Sequence, residues 1–374
     1  MDLTAWALRR RPHNEIDRFD GERYQRVFML TGGAVEVSVR QIGSLEESRL
    51  TVELTADRND FDDAQLVECR SVLEITLGLG ADLSGFYQLA TNDPHLAALA
   101  ARFRGVRPPH FPSVFEAVVN AAACQQLSLV VGIHLLNRLT TRFGSTACAS
   151  INAPHAFPTP GELAAANPLV LRNMGFSMAK ARTIIELATR VASNDVDIEA
   201  LAVATDEHAM ATLLGLRGIG RWSAEYTLLR GLGRCHVLPG DDVGAANNLQ
   251  RRFGLAFTPN YAQIEELTSS WSPYAGLVYF HLLLDSLDAG GHLAPATPES
   301  MVETRMPESS VTPRLVSYTL DLEFGHVARP ATTREATRLS DWRPQVHDFR
   351  STDSTTTPGM KGKRIFTQER EDVA

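Results

Sequence analysis

Cysteine is scarce in this sequence, and no two cysteines form a CxxC pair. The four are Cys69, Cys124, Cys148 and Cys235, all far apart along the chain. Structural zinc sites and iron–sulfur clusters use several thiolates at short spacings, so neither is predicted. Isolated free thiols are typical of a reducing compartment. We therefore expect a cytoplasmic protein.

The sequence also shows no pattern typical of a targeting signal or of a membrane-spanning segment. The first residues, MDLTAW, show neither a basic start nor an apolar stretch with a small-residue cleavage site, so no secretory signal is predicted. No run of about 18 apolar residues occurs, so no membrane-spanning helix is expected. The 374 residues, 44% hydrophobic and 21% charged, are typical of a globular protein with two or three domains.

The chain has no excess of positive charge, since its formal net charge is −8. The first hundred residues carry −7, whereas residues 101–290 contain 15 basic and 15 acidic residues. Composition therefore predicts no strong salt-dependent attraction to nucleic acid. A neutral domain still binds DNA when its basic residues share one face.

Sequence patterns divide the chain into three segments. Residues 1–100 predict a small α+β unit, because valines alternate with polar residues in the AVEVSV segment as in a half-buried strand. Residues 101–292 follow a helical pattern that begins after a proline-rich break. Residues 293–374 are rich in Pro, Ser and Thr and are predicted to be a tail of low order, with one short strand within 316–324.

A glycine turn lies between two helical patterns, at about residues 213–230. Gly218 and Gly220 allow the backbone to turn sharply and to approach a partner closely. The second helix begins just after them, so its unpaired N–H groups and positive dipole end can hold an anion, such as a DNA phosphate. Many helical hairpins contain such a turn without a ligand, so the turn alone is weak evidence.

Two adjacent carboxylates, Asp241 and Asp242, precede the next helical pattern. One of them can cap that helix by accepting its free N–H groups, which leaves the second without a structural explanation. Both a capping role and a chemical role remain open from the spacing alone.

Several aromatic and amide side chains are candidates for a binding cleft, although burial in the core would also explain them. An aromatic cleft suits a flat ligand, which would stack on its walls. The aromatic candidates are Trp222, Tyr226, Trp271 and Tyr274, and the polar pair Gln125-Gln126 stands out on a mostly apolar helix.

Taken in order, these motifs resemble the helix-hairpin-helix–Gly/Pro–Asp superfamily of DNA base-excision glycosylases, and within it the DNA-3-methyladenine glycosylase II type. The similar segments are LRGIGRWSAEY, LPGDDVGAANNL, the Gln-Gln helix, WSPY and FPTPGELAAANPLVLRNMGFSMAKARTIIELA. The resemblance extends over about residues 15–290 and excludes the tail. It implies a mainly α fold with an N-terminal α+β domain like that of the TATA-binding protein.

The activity that the resemblance implies is hydrolysis of the N-glycosidic bond of alkylated purines, of the 3-methyladenine and 7-methylguanine class, in double-stranded DNA. The damaged nucleotide would be flipped out of the duplex, and the enzyme is expected to be a monomer. Two alternatives stay open at this point. The same fold could act on oxidised or deaminated bases, or the chain could be a hairpin DNA-binding protein without catalysis.

Residue roles follow from the resemblance position by position. Asp242 lies where the family has its catalytic aspartate, and Asp241 where a non-catalytic neighbour often lies. Bifunctional members have a Schiff-base lysine just after the hairpin glycines, where this chain has Trp222. Residues 181–295 contain no lysine. The resemblance therefore predicts a monofunctional hydrolase without a lyase step.

The remaining implied roles concern binding. The residues implied to contact the substrate base are Gln125, Trp222, Tyr226 and Tyr274. The residues implied to contact DNA are Gln126, which would fill the gap left by the flipped base, and Gly218, Gly220 and Arg221. The backbone carbonyls of Leu214, Leu216 and Ile219 are expected to coordinate a structural Na⁺ or K⁺ ion, and no other cofactor is expected.

Overall fold

The computed structural model describes residues 1–43, 49–57, 61–150 and 152–293, and the backbone of two short strands at 315–318 and 369–371. Its strands are β1 Arg18–Phe19, β2 Arg23–Leu30, β3 Gly33–Ile42, β4 Arg49–Thr55, β5 Leu315–Tyr318 and β6 Glu369–Glu371. Its helices are α1 Asp2–Arg9, α2 Asp63–Thr76, α3 Ser84–Thr91, α4 Pro94–Arg102, α5 Val114–Cys124, α6 Leu129–Phe143, α7 Pro160–Ala164, α8 Pro168–Asn173, α9 Met178–Ala192, α10 Asp206–Leu214, α11 Arg221–Arg230, α12 Val243–Phe253, α13 Tyr261–Thr268 and α14 Ala275–Ala289. The predicted mainly α fold is confirmed.

The strands form one antiparallel sheet in sequential order from β1 to β6. Strands β2 and β3 are paired from Arg23 with Arg40 to Leu30 with Gly33, so they form a tight hairpin. One face is buried, since Val35, Val37 and Val39 are at most 1% exposed. This alternation confirms the small N-terminal α+β unit.

The predicted tail lies mostly outside the described residues, from residue 294 onward. Within it, β5 pairs with β4, for example Leu54 with Val316. The short strand expected within 316–324 is therefore present, over Leu315–Tyr318. Strand β6 pairs with β5 at the edge of the sheet and was not expected.

Two hydrophobic cores divide the chain, and they do not follow the predicted boundary near residue 100. One core combines the sheet and α1–α4 with apolar residues of α12, α13 and α14. The other is formed mainly by α5–α11. The last helices thus return to the N-terminal unit, because α14 packs its apolar surface on α1 and α4. Periodicity reveals that a helix has a buried face but not which element covers it.

A buried ion-pair network joins the sheet to α5. Arg26 donates to Asp17 at 2.7 Å and to Glu116 at 2.5 Å, and all three side chains are almost inaccessible to solvent. Tyr24 also donates its hydroxyl to Asp17 at 2.7 Å. Because every charge has a partner, the network holds α5 in place against the sheet. Among the described residues, no helix is long and apolar enough to cross a membrane.

Candidate active site

A cavity of about 1010 Å³ lies between the two cores. The end of α1, the α5–α6 turn, the hairpin with α11, the start of α12 and the middle of α14 contribute its lining. The side chains that concern the chemistry are Arg10, Gln125, Gln126, Trp222, Tyr226, Arg230, Asp242 and Tyr279. Most of the residues expected from the sequence therefore meet in one place.

The hairpin between α10 and α11 forms one edge of this cavity. Gly218 has φ of 73°, and a Cβ atom there would lie 2.3 Å from Oγ1 of Thr183 on α9. Only glycine fits this close approach. Gly220 is the N-cap of α11 and supplies no side-chain cap. The first N–H groups of α11 are thus available to an anion.

Asp242 both caps α12 and faces the cavity. Its Oδ1 accepts the backbone N–H of Ala245 at 2.8 Å. Its Oδ2 accepts Nε1–H of Trp222 at 3.0 Å and the hydroxyl of Tyr279 at 3.3 Å. Burial and the charge of Asp242 raise the pKa of Tyr279 far above its usual range, so the phenol remains a donor. Asp242 therefore caps α12 with one carboxylate oxygen and faces the cavity at the same time.

Asp241 also lines the cavity, but its partner is Arg221 rather than Trp222. It accepts two hydrogen bonds from Arg221, at 2.7 and 3.0 Å. The guanidinium of Arg221 lies 3.6 Å from the ring centre of Tyr261. Behind it, Glu225 accepts the Tyr261 hydroxyl at 2.7 Å and the N–H of Gly240 at 3.1 Å. These contacts fix the loop that leads to Asp242, which explains Asp241 structurally.

The Gln125-Gln126 turn is tied to the hairpin. Gln125 donates its amide to the carbonyl of Gly218 at 2.9 Å and to Oγ of Ser223 at 2.7 Å. Lys180 donates to the Gln125 carbonyl at 2.6 Å. Gln126 has φ of 54° and is exposed at the cavity mouth. Gln125 thus mainly connects the α5–α6 turn to the hairpin. The exposed side chain of Gln126 is available to contact DNA.

Trp222 and Tyr226 form an aromatic wall. Their rings are stacked, with centres 5.2 Å apart and planes 23° from parallel. Tyr226 is 4% exposed, and its hydroxyl accepts Nη1–H of Arg10 at 3.3 Å. A flat ligand in the cavity would therefore meet Trp222 before Tyr226.

Tyr274 does not line this cavity, so the expected stacking role for it is wrong. Tyr274 lies in a separate groove with Trp271, and its ring packs against Phe86 with centres 6.1 Å apart. Trp271 is 2% exposed and donates Nε1–H to Asp93 at 3.2 Å. The aromatic residue of this helix that reaches the cavity is Tyr279, which the sequence did not single out.

The cation site expected at the hairpin stays a prediction. The carbonyl of Leu216 accepts the N–H of Ile219 at 3.2 Å, which leaves one of its lone pairs unused. Leu214 ends α10 next to it. Three carbonyls on one short turn are the kind of hard oxygen ligands that an alkali cation needs. Among the described residues, no group of three or more His, Cys, Asp or Glu side chains could hold a metal ion.

Comparison with known proteins identifies the family. Residues 119–273 match the model of the HhH-GPD superfamily base excision DNA repair protein. The chain is 30% identical over 227 residues to "DNA-3-methyladenine glycosylase 2" of Escherichia coli K12, which covers 57% of this chain and 77% of that protein. The chain belongs to the HhH-GPD superfamily. The resemblance seen in the motifs is therefore confirmed.

Other HhH-GPD relatives agree. A "DNA-3-methyladenine glycosylase" of Bacillus subtilis is 26% identical over 245 residues, 66% of this chain and 81% of its own length. The solved structure of a 3-methyladenine DNA-glycosylase from Archaeoglobus fulgidus is 27% identical and superimposes with a TM-score of 0.65, over 76% of this chain and 93% of that chain. The shared fold thus extends beyond the matched segment.

Proposed function

We propose that this protein is a DNA glycosylase that hydrolyses the N-glycosidic bond of alkylated purines in double-stranded DNA. The observation that supports this most is the position of Asp242, whose carboxylate faces a cavity beside a DNA-binding type of hairpin and is held by Trp222 and Tyr279. The relatives named as 3-methyladenine glycosylases support the same substrate class.

The proposed chemistry needs a carboxylate in such a place. A base inside a duplex cannot be attacked, so its nucleotide must swing out, at a cost of a few kcal/mol. Cleavage of the N-glycosidic bond develops positive charge on the sugar. The Asp242 carboxylate would stabilise that charge and orient or deprotonate the attacking water. An alkylated purine is already cationic, so it departs as a neutral base without a strong general acid.

DNA contacts are assigned to the rim of the cavity. The N–H groups that follow Gly220 would hold a phosphate, since α11 has no side-chain cap there. Gln126, exposed in a left-handed conformation on its turn, would occupy the gap left by the flipped base. Arg221 is already paired with Asp241, so its contribution to DNA is expected to be smaller than the sequence implied.

A hydrolase without lyase activity fits the position of Lys180, the lysine that lies within the described residues. The sequence has three lysines, Lys180, Lys361 and Lys363. Lys180 does not line the cavity, and its ammonium is held by the carbonyls of Ala123 and Gln125 at 2.8 and 2.6 Å. We therefore expect intact abasic sites as product, with strand cleavage only after alkali, and no covalent adduct after borohydride reduction. An adduct would contradict the monofunctional assignment.

The decisive variant is Asp242→Asn, because asparagine caps helices as well as aspartate and so keeps the bond to Ala245. We expect release of methylated purines from alkylated duplex DNA to fall by at least about 100-fold, while binding to abasic-site DNA and thermal stability persist. Full base release by this variant would overturn the mechanism. No base release by the unchanged protein, with tight binding to abasic DNA, would instead indicate a non-catalytic DNA-binding protein.

A further inference from the structure

Two buried arginines line the same cavity as Asp242. Arg10 follows α1 and is 6% exposed, and Arg230 ends α11 and is 1% exposed. Arg10 has φ of 58°, which turns the chain just beyond the helix. The two residues come from opposite sides of the cavity and converge on Tyr226. Arg10 donates to its hydroxyl, and Arg230 lies 5.8 Å from its ring centre.

Neither guanidinium has a carboxylate partner within the part of the chain that the structure describes. Nε of Arg10, and Nε and Nη2 of Arg230, are buried without a hydrogen-bond acceptor. Arg26 is equally buried and its Nε also lacks an acceptor, but its Nη atoms are paired with Asp17 and Glu116. A buried charge without a carboxylate partner is strongly destabilising. Such groups in a folded protein usually have a water or ligand as partner.

The charges that line the cavity favour a ligand with acceptor atoms. Four arginines and two aspartates contribute to its lining. Arg221 and Asp241 neutralise each other at the rim. The rest of the charged lining consists of Arg10, Arg11 and Arg230 and one carboxylate, Asp242. A guanidinium only donates hydrogen bonds, so these arginines carry more donor groups than the Tyr226 hydroxyl accepts.

We propose that Arg10, backed by Arg230, donates a hydrogen bond to the carbonyl oxygen of the flipped base, so that the site prefers 6-oxopurines to 6-aminopurines. This inference rests on the proposed glycosylase function. Guanine-type bases present O6 as an acceptor, whereas adenine-type bases present an amino group that donates. A donor opposite a guanidinium leaves both groups unsatisfied, and such mismatches discriminate strongly.

Two lesions in one substrate test this directly. Methylated duplex DNA contains both 7-methylguanine, which has the O6 acceptor, and 3-methyladenine, which has the amino group. Both are cationic in DNA, so repulsion from the arginines affects them alike. In Arg10→Met, we expect the ratio of kcat/KM for 7-methylguanine to that for 3-methyladenine to fall about 10- to 100-fold, the effect of a charge-assisted hydrogen bond. Arg10→Lys, which keeps a donor, should recover part of the ratio.

A matched control is Arg9→Met. Arg9 is the preceding residue, is 4% exposed, and lies over the Trp6 ring rather than in the cavity. Its loss should leave the ratio unchanged. An unchanged ratio in Arg10→Met, or an equal change in Arg9→Met, would overturn the role of Arg10. Release of neither base by the unchanged protein would contradict the glycosylase function instead, so the two failures are distinguishable.

A second measurement needs no variant. Free hypoxanthine carries the 6-oxo group and free adenine the 6-amino group, and neither is charged. We expect hypoxanthine to inhibit release of 3-methyladenine by the unchanged protein at about a tenfold lower concentration than adenine, as expected for one hydrogen bond to a charged donor. Equal concentrations for the two bases would contradict the proposal.

Discussion

The two walls of the cavity are built in different ways. The hairpin wall comprises the α5–α6 turn, the hairpin with α11 and the start of α12, all within the matched family segment 119–273. The end wall comprises Arg10 after α1 and Tyr279 and Leu283 of α14, which lie outside that segment. The hairpin wall consists of motifs that lie within one segment of the sequence. The end wall brings together Arg10, near the start of the chain, and residues of α14, about 270 positions later.

This difference indicates a division of labour. The hairpin wall carries the backbone amides, Gln126, Trp222 and Asp242, the groups proposed to hold DNA and break the bond. The end wall carries Arg10, the group proposed to select the base. Substitution of Trp222 or Asp242 should therefore slow all lesions alike, whereas substitution of Arg10 should change the ratio between lesions.

The largest effect in this comparison is expected for Trp222→Phe. Phenylalanine keeps a ring against Tyr226 but lacks the Nε1–H that holds Oδ2 of Asp242 at 3.0 Å. A hydrogen bond to a charged group contributes about 1.5–3 kcal/mol, so kcat should fall about 10- to 100-fold. Single-turnover release of both methylated purines measures this, and their ratio should not change. A rise in KM with kcat unchanged would show that Trp222 only binds the base.

The sequence predicted the residues of the hairpin wall better than those of the end wall. Gly218, Trp222 and Asp242 lie within thirty residues of one another, so local turn and capping chemistry was enough to place them together. Arg10 was missed because its contact with Tyr226 of α11 joins residues that are 216 positions apart, which no local pattern records. Tyr274 was expected from the resemblance alone. Tyr279 was not singled out, because α14 is buried over most of its length and its pattern does not show which side faces the cavity.

A smaller effect is expected for Tyr279→Phe, which tests the junction between the walls. Tyr279 belongs to the end wall, yet its hydroxyl donates to Asp242 at 3.3 Å. This bond is longer than that from Trp222, so its loss should lower kcat only about 3- to 10-fold. Because the contact is to Asp242 rather than to the base, both lesions should slow equally. A changed ratio of 7-methylguanine to 3-methyladenine release would instead make Tyr279 part of base selection.

The smallest effect on activity is expected for Tyr274→Leu. Leucine cannot stack on a base, so the variant removes any aromatic contribution from this position. Since Tyr274 packs on Phe86 in a separate groove, release of both purines should stay within about twofold of the unchanged protein. The free energy of unfolding should fall by about 1–2 kcal/mol, because the phenol fills space beside Gly85. Denaturant titration measures the second effect. A loss of activity without a loss of stability would return Tyr274 to the site and contradict its placement in a separate groove.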